Sequence, residues 1–337
     1  MGKWTQVAAM LAGLFGLAAA MGCEKESAPG TGGGTPAARK IVIGMVAKSQ
    51  SNDVFVAAHS GAKAAALELG AKYGVEVEID WRTPVSEDAA KQVEAIEALT
   101  RAGVDGMTVS CTDAATLTPA IDKAVEKGVP VICFDSDAPA SKRFAYYGSD
   151  NAMIGRILTE AVAKEMGEKG TVAILGGNQN GTNLAQRVAA AKETLSKYPN
   201  MKLLAAGGGV FYHEETPEKA AEAVTSATNA NPDIEGWVFI GGWPLFTTDA
   251  LKWPPGKIKV ASCDALPAQL GYIKSGHVQS LYAQDCYGWG YKSVEILLEK
   301  IINDKQPENP VIIDPLTLVN KDNVDEFGKN WEKWLGK

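Results

Sequence analysis

The stretch "VPVICFDSDAPASKRFAYYGSDN", residues 129–151, decides the fold. Val129 to Phe134 is almost wholly apolar, the pattern of a central strand covered on both faces. Asp135, Ser136 and Asp137 follow at once, and Pro139 closes the run. In open parallel sheets, ligands bind in the crevice beyond the carboxyl ends of the strands. A buried strand that delivers two carboxylates and a hydroxyl to that edge marks a candidate binding wall.

Working outward, the same alternation fills the chain. Before residue 129, "KIVIGMV" reads as a strand, Val54 to Leu69 as a helix, and "VEVEID" as a strand entering a loop at Trp81 to Pro84. A helix over 87–102, the strand "DGMTVS" and a helix over 114–127 follow, with Gly70, Gly103 and Gly128 read as helix stops. After residue 151 the pattern restarts. Helices over 152–166, 182–198 and 217–229, one following Trp243, and one over 267–275 alternate with the strands "TVAILGG", "MKLLAAG", "GWVFIGG" and "KIKVASCD". The strand "VQSLYAQD" and a long helix over 288–302 complete it. Two rounds of strict alternation predict an α/β fold of two doubly wound parallel-sheet domains. The expected limits are 40–148 with 286–313, and 149–285 with 314–337. Three crossings join them, near Gly148 to Asn151, from Asp264 to Gln284 onward, and at Ile313 to Leu316.

The first 39 residues read differently. Lys3 precedes an apolar and glycine-rich run from Val7 to Met21. That run is short of the roughly 20 residues needed to cross a bilayer and suits a signal peptide, residues 1–22. "LAAAMGC" resembles a bacterial lipobox, which makes Cys23 the candidate lipidation site. Residues 23–39, rich in Gly, Pro and small polar side chains, read as a tether. The expectation is a membrane-anchored protein of the periplasm or cell surface, acting as a monomer. Across its 337 residues the chain has a formal net charge of −7 and no basic blocks, which argues against a nucleic-acid partner. Cys111, Cys133, Cys263 and Cys286 read as buried free thiols, with a Cys263–Cys286 bridge as the alternative. Their spacing suggests no metal site, and nothing calls for a cofactor.

The strand ends share a chemical theme. Asn52 and Phe55 follow the first strand, Trp81 the second, and Asp135, Ser136 and Asp137 the fourth. In the second half come Asn183 and Arg187, then Tyr212 and His213, Trp243, Asp264 and Gln284. Amide and carboxylate acceptors, one guanidinium and several aromatics suit a neutral polyhydroxylated ligand, whose hydroxyls need donors and acceptors and whose C–H faces stack on planar rings. His213 reads as a solvated or hydrogen-bonded loop residue, and Trp331 and Trp334 as packing a C-terminal helix on the second half.

The segments "NDVFVAAHSGAKAAALELG", "GVPVICFDSDAP", "YYGSDNAMIGR", "NLAQR", "NPDIEGWVFIGG" and "SCDALPAQLGYIKSGHVQSLYAQD" resemble the periplasmic sugar-binding proteins of the ribose-binding type. These serve ABC importers and share the effector fold of lactose-repressor-like regulators. The resemblance runs from about residue 40 to 320. It implies ligand contacts at Asn52, Phe55, Asp135, Arg187, Asp264 and Gln284, in a cleft that closes about a hinge. Two departures stand out: Ser136 replaces an arginine of the ribose binder, and Gly242 with Trp243 replaces its Asn-Asp pair. The expected ligand is therefore a monosaccharide other than ribose, an aldopyranose such as xylose, glucose or galactose stacked on Trp243. The expected partner is an ABC-transporter permease.

Rival readings have less behind them. Gly176 and Gly181 have the outer spacing of a phosphate-binding loop, but Thr182 and Asn183 follow where lysine is required. Asp135 and Asp264 could pair as in a glycosidase, yet no histidine has a visible nucleophilic partner, so no catalytic residue is assigned. No helix-turn-helix segment precedes residue 40. A sensing module for a chemoreceptor or sensor kinase, or a binder of a non-sugar signal such as autoinducer-2, is the remaining alternative.

Overall fold

The structure, a computed structural model, describes residues 39–335. The leader, the candidate lipidation site Cys23 and most of the tether lie outside the described residues.

Two sheets organise the chain, and each grows from a buried apolar strand flanked by short pieces. The first takes β1 (Lys40–Val46), β2 (Glu76–Trp81), β3 (Gly106–Val109), β4 (Val131–Phe134), β5 (Ala145–Gly148) and β12 (Val311–Ile313) in the order β12-β5-β4-β3-β1-β2, all parallel. The second takes β6 (Gly170–Gly177), β7 (Met201–Leu203), β9 (Ile234–Phe239), β10 (Lys259–Cys263), β11 (Ser280–Ala283) and β13 (Thr317–Val319). Its order is β13-β11-β10-β9-β6-β7, with β8 (Val210–Tyr212) also on β6 and only β13 antiparallel to its neighbour. The strand order reverses at β1/β3 in one sheet and at β6/β9 in the other. Those reversals are the switch points where loops splay apart and ligands enter.

Six helices start where a side chain satisfies one of their first N–H groups. Asn52, Asp88, Asp113, Asp150, Thr216 and Asp285 cap α1 (Asp53–Tyr73), α2 (Ala89–Ala102), α3 (Ala114–Glu126), α4 (Asn151–Met166), α6 (Pro217–Ala230) and α8 (Cys286–Asn303). The remaining helices are α5 (Thr182–Leu195), α7 (Pro267–Ser275), α9 (Val324–Gly328) and α10 (Asn330–Trp334). Gly70 does not stop α1, which runs on to Tyr73 and ends at Gly74 in the left-handed region, φ 67°. Gly70 is small for another reason: a Cβ there would sit 2.9 Å from the carbonyl oxygen of Val75, where the chain turns into β2. Gly103 ends α2 as read, at φ 72°.

The chain passes between the two sheets three times, at residues 148–151, 284–286 and 313–317. These passages are tied together: Tyr147 donates its hydroxyl to Asp285, and the backbone N–H of Asp314 donates to the Gly148 carbonyl. Asp314 Oδ2 accepts from the Asp285 backbone and from the Trp289 indole, both at 3.2 Å. Trp331 donates to the Ala265 carbonyl at 2.7 Å, fastening the C-terminal helix to the second sheet. Among the described residues no helix is long and apolar enough to cross a membrane.

Candidate functional site

Two aspartates end two central strands, one in each sheet, in the same unusual backbone conformation. Asp135 follows β4 with φ 55°, and Asp264 follows β10 with φ 64°. A left-handed backbone is strained for most side chains and mildest for Asp, Asn and Gly. Both residues are buried, yet neither carboxylate is left without partners. Asp135 Oδ2 accepts from Ser110 Oγ at 2.7 Å and faces Lys48 Nζ at 3.7 Å. Asp264 accepts from Gln284 Nε2 at 2.8 Å and from the Gly242 N–H at 3.4 Å. Burial pushes the Asp264 carboxyl up from its ordinary range, against the pull of Arg187 and Gln284.

Each half also holds its loops with a fully buried glutamine. Gln92 donates to the carbonyls of Ala47 and Ser110 and accepts from the Thr112 N–H, stapling the ends of β1 and β3. Gln269 donates to the carbonyls of Cys263 and Asp264 and accepts from the Leu266 N–H. Every polar group of these amides is used, which fixes the adjoining loops at the strand ends.

Arg187 on α5 joins the second half's residues into one network. Its guanidinium makes four hydrogen bonds: to Asn151 Oδ1 (2.8 Å), the Ile240 carbonyl (3.0 Å), Cys263 Sγ (3.2 Å) and Gln284 Oε1 (2.9 Å). Arginine carries five N–H donors, so one is left over. Asn183, on the same helix, is buried with its Oδ1 lacking a partner.

Lys48, Glu87, Ser110, Asn151 and Glu215 were not picked out from the sequence. Lys48 had a readable signal, since a lysine directly after the apolar run "IVIGMVA" poses the same question as Asp135 after β4. It is 4% exposed. Burial works against its charge, but Asp135, Glu87 and Glu215 outweigh that and hold its pKa above the usual value. Glu87 and Glu215 lie in polar loops of opposite halves, and nothing local marks them.

A cavity of about 840 Å³ opens between the loops of the two halves. Ser49, Asn52 and Glu87 line it from the first half; Tyr212, His213, Glu215, Trp243 and Phe246 line it from the second. Trp243 is 6% exposed, its ring lying where Cβ atoms on Gly177 and Gly241 would be. His213 is a hydrogen-bonded loop residue, and it also lines the cavity. Its N–H bonds the Gly177 carbonyl, extending the β8–β6 pairing, and this sets its ring edge-on to Trp243 at 5.2 Å between centroids. Burial lowers its pKa.

Of the twelve expected residues only Asn52, Tyr212 and Trp243 line this cavity; Asp135, Asn183, Arg187, Asp264 and Gln284 are buried outside its lining, and four more lie elsewhere. Phe55 is buried in a three-ring cluster with Phe134 and Trp289. Trp81 packs against His59 at 3.8 Å between centroids, the rings tilted by 41°, and donates to Thr83, on the α1 side of β2. Ser136 is 1% exposed, with its carbonyl accepting from the Cys111 N–H. Asp137 turns away to an ion pair with Arg143, whose Nη2 donates at 2.5 Å. Cys111, Cys133, Cys263 and Cys286 are all free and buried. Residues 52, 135, 183, 187, 212, 243, 264 and 284 remain on or beneath the facing strand ends.

Comparison with known proteins agrees with this geometry. Residues 43–305 match the periplasmic binding protein domain. The D-ribose/D-allose-binding protein of Pseudomonas aeruginosa is 25% identical over 292 residues, covering 82% of this chain and 88% of that protein. A xylitol-binding protein of Mycolicibacterium smegmatis is 24% identical, covering 74% and 70%. Among solved structures, an ABC-transporter solute-binding protein of Burkholderia graminis in complex with D-arabinose superposes with a TM-score of 0.77 at 27% identity, covering 85% of this chain and 97% of that one. A periplasmic solute-binding protein of Actinobacillus succinogenes with bound D-allose gives 0.75 at 25% identity, covering 85% and 99%. The two curated relatives are named as binding proteins and the two solved structures as solute-binding proteins of ABC transporters, and none of the four is named as an enzyme. Two facing α/β sheets, paired strand-end aspartates and the match over residues 43–305 agree: the chain belongs to the periplasmic binding protein family, of type I fold.

Proposed function

We propose that the protein captures a neutral monosaccharide between its two halves and delivers it to an ABC importer. The observation that carries this is the strand-end set Asp135, Arg187, Asp264 and Gln284, contributed by both sheets and held by bonds that leave only part of its capacity unused. Asp135 Oδ1 and the last Arg187 donor are available to sugar hydroxyls. Arg187 is otherwise satisfied by protein acceptors, so it has no free fork for a ligand carboxylate, and sugar acids are disfavoured. Asn52, Asn183 and Tyr212 supply further polar contacts, and Trp243 a ring face for an aldopyranose. The halves are residues 40–148 with 286–313 and 149–285 with 314–337, and sugar favours the closed arrangement by touching both. Family membership implies a periplasmic location, and lipidation of Cys23 would hold the protein at the membrane.

The test is calorimetric titration with D-xylose, D-glucose, D-galactose, D-allose, D-arabinose and D-glucuronate. One neutral sugar should bind and D-glucuronate should not. Tighter binding of the acid than of its neutral parent would overturn the ligand class. Binding of autoinducer-2 with no response to any sugar would move the reading to a signal sensor.

A further inference from the structure

We propose that Glu87 and Glu215 form a proton-sharing latch across the mouth of the cleft, so that closure takes up one proton. The proposal rests on the cleft reading above and adds its regulation. Glu87 lies in the loop between β2 and α2, and Glu215 in the loop between β8 and α6, so the pair spans the two halves. Both line the cavity from opposite halves and both are partly buried, and Glu215 acts on the Glu87 carboxyl through its charge and through hydrogen bonding. Glu215 Oε1 also accepts from the Asn178 N–H at 3.2 Å, which anchors it to the loop after β6. An ionised carboxylate only accepts hydrogen bonds, so two can bond directly only when one carries a proton.

The surroundings have been built on both sides. From the first half, Lys48 and Asp135 face the pair, and Asp53 lines the same cavity. From the second half come His213 and Glu214 on the same loop, while Arg187 lies close enough to act on Lys48. Burial first, and then Glu215, push the Glu87 carboxyl up to about 8; Lys48 pulls the other way without cancelling this. With the cleft open, the two carboxyls separate into water and the Glu87 carboxyl returns to the ordinary range near about 4.3.

The sign follows from linkage. A carboxyl whose pKa is higher in the closed state favours closure most below its open-state value. That advantage is lost as pH rises to about 8 and is constant beyond. Between the two limits closure weakens by up to about tenfold per pH unit.

Small-angle scattering of the full chain without sugar, at pH 5.5 to 8.5, tests the latch directly. The radius of gyration should be smaller at the acid end, and Glu87→Gln and Glu215→Gln should each remove the trend while melting cooperatively. A wild-type radius that does not change with pH, or an equal trend in both variants, overturns the proposal. So does compaction that appears only on adding calcium or methylammonium, which would make the pair a cation site. Calorimetry with D-allose at pH 7 in buffers of different ionisation enthalpy gives a second readout, an uptake of about one proton per sugar that Glu87→Gln abolishes. If D-allose and its relatives fail to bind, the sugar reading falls, while the scattering result still decides the latch.

Discussion

Asp135 has two jobs that different substitutions separate. Its backbone is left-handed, and its carboxylate is the counter-charge of the buried Lys48. Asp135→Asn keeps a side chain that tolerates the backbone and removes the charge. Sugar affinity should fall at least tenfold, with a melting temperature lowered through the uncompensated lysine. Removing one partner of a buried pair costs about 3–5 kcal/mol in the severe case. The double variant Asp135→Asn with Lys48→Met should recover most of the stability and none of the affinity, as read by melting and calorimetry. Recovery of affinity as well would mean that Asp135 only serves Lys48. Arg187→Lys is the parallel case on the other wall. One ammonium cannot reach Asn151, Ile240, Cys263 and Gln284 together, so binding should weaken sharply even though the charge is kept.

At the level of elements, the site depends on helices that approach unusually closely. A Cβ on Gly155 of α4 would lie 2.1 Å from the carbonyl oxygen of Arg187 on α5. In the first half, Cβ atoms on Gly61 of α1 and Gly290 of α8 would lie 2.0 Å and 1.7 Å from the carbonyl oxygens of Tyr287 and Ala58. None of these three contacts can relax without moving a helix backbone. Overpacking of this kind costs about 1–3 kcal/mol or more. Gly61→Ala should therefore lower the melting temperature without touching the sugar contacts. Gly155→Ala should lower both melting temperature and affinity, because it displaces Arg187 itself. An unchanged dissociation constant in Gly155→Ala would show that α5 can shift without disturbing the cleft.

Elements were also what the sequence displayed best. Apolar runs such as "VPVICF" and stops such as Gly103 write strands and helix ends locally. Gly70 misled because a small residue demanded by packing against the Val75 carbonyl looks the same as one demanded by a helix end. Asp135, Arg187 and Asp264 were legible because strand order puts their positions at one edge. Phe55, Trp81 and Asp137 were not, since side-chain direction depends on partners distant in sequence: Trp289, His59 and Arg143. The Glu87–Glu215 contact exists only once the two halves face each other, and no local pattern records it.

For the whole molecule, the three passages between sheets are tied together at Asp314. Its Oδ2 accepts from the Asp285 backbone and the Trp289 indole, and burial raises its pKa. Asp314→Ala leaves those two buried donors unsatisfied, at about 1–3 kcal/mol each, and should lower the melting temperature by several degrees. Asp314→Asn, which retains an acceptor, should lower it less. Equal loss in both variants would place the importance of Asp314 in its charge rather than in its acceptor role.

The most direct test of capture between the two halves is a thermal-shift titration of the protein with D-ribose, D-allose, D-arabinose, D-xylose, D-glucose and D-galactose, run beside Asp135→Asn. A ligand that binds only the folded chain stabilises it by about 2.7 kcal/mol at a hundred times its dissociation constant. One of these sugars should raise the melting temperature in step with its concentration, and the shift should vanish or move to much higher concentration in Asp135→Asn. A shift of the same size in wild type and variant would contradict the cleft assignment, and the absence of any shift with all six sugars would contradict the capture of a monosaccharide.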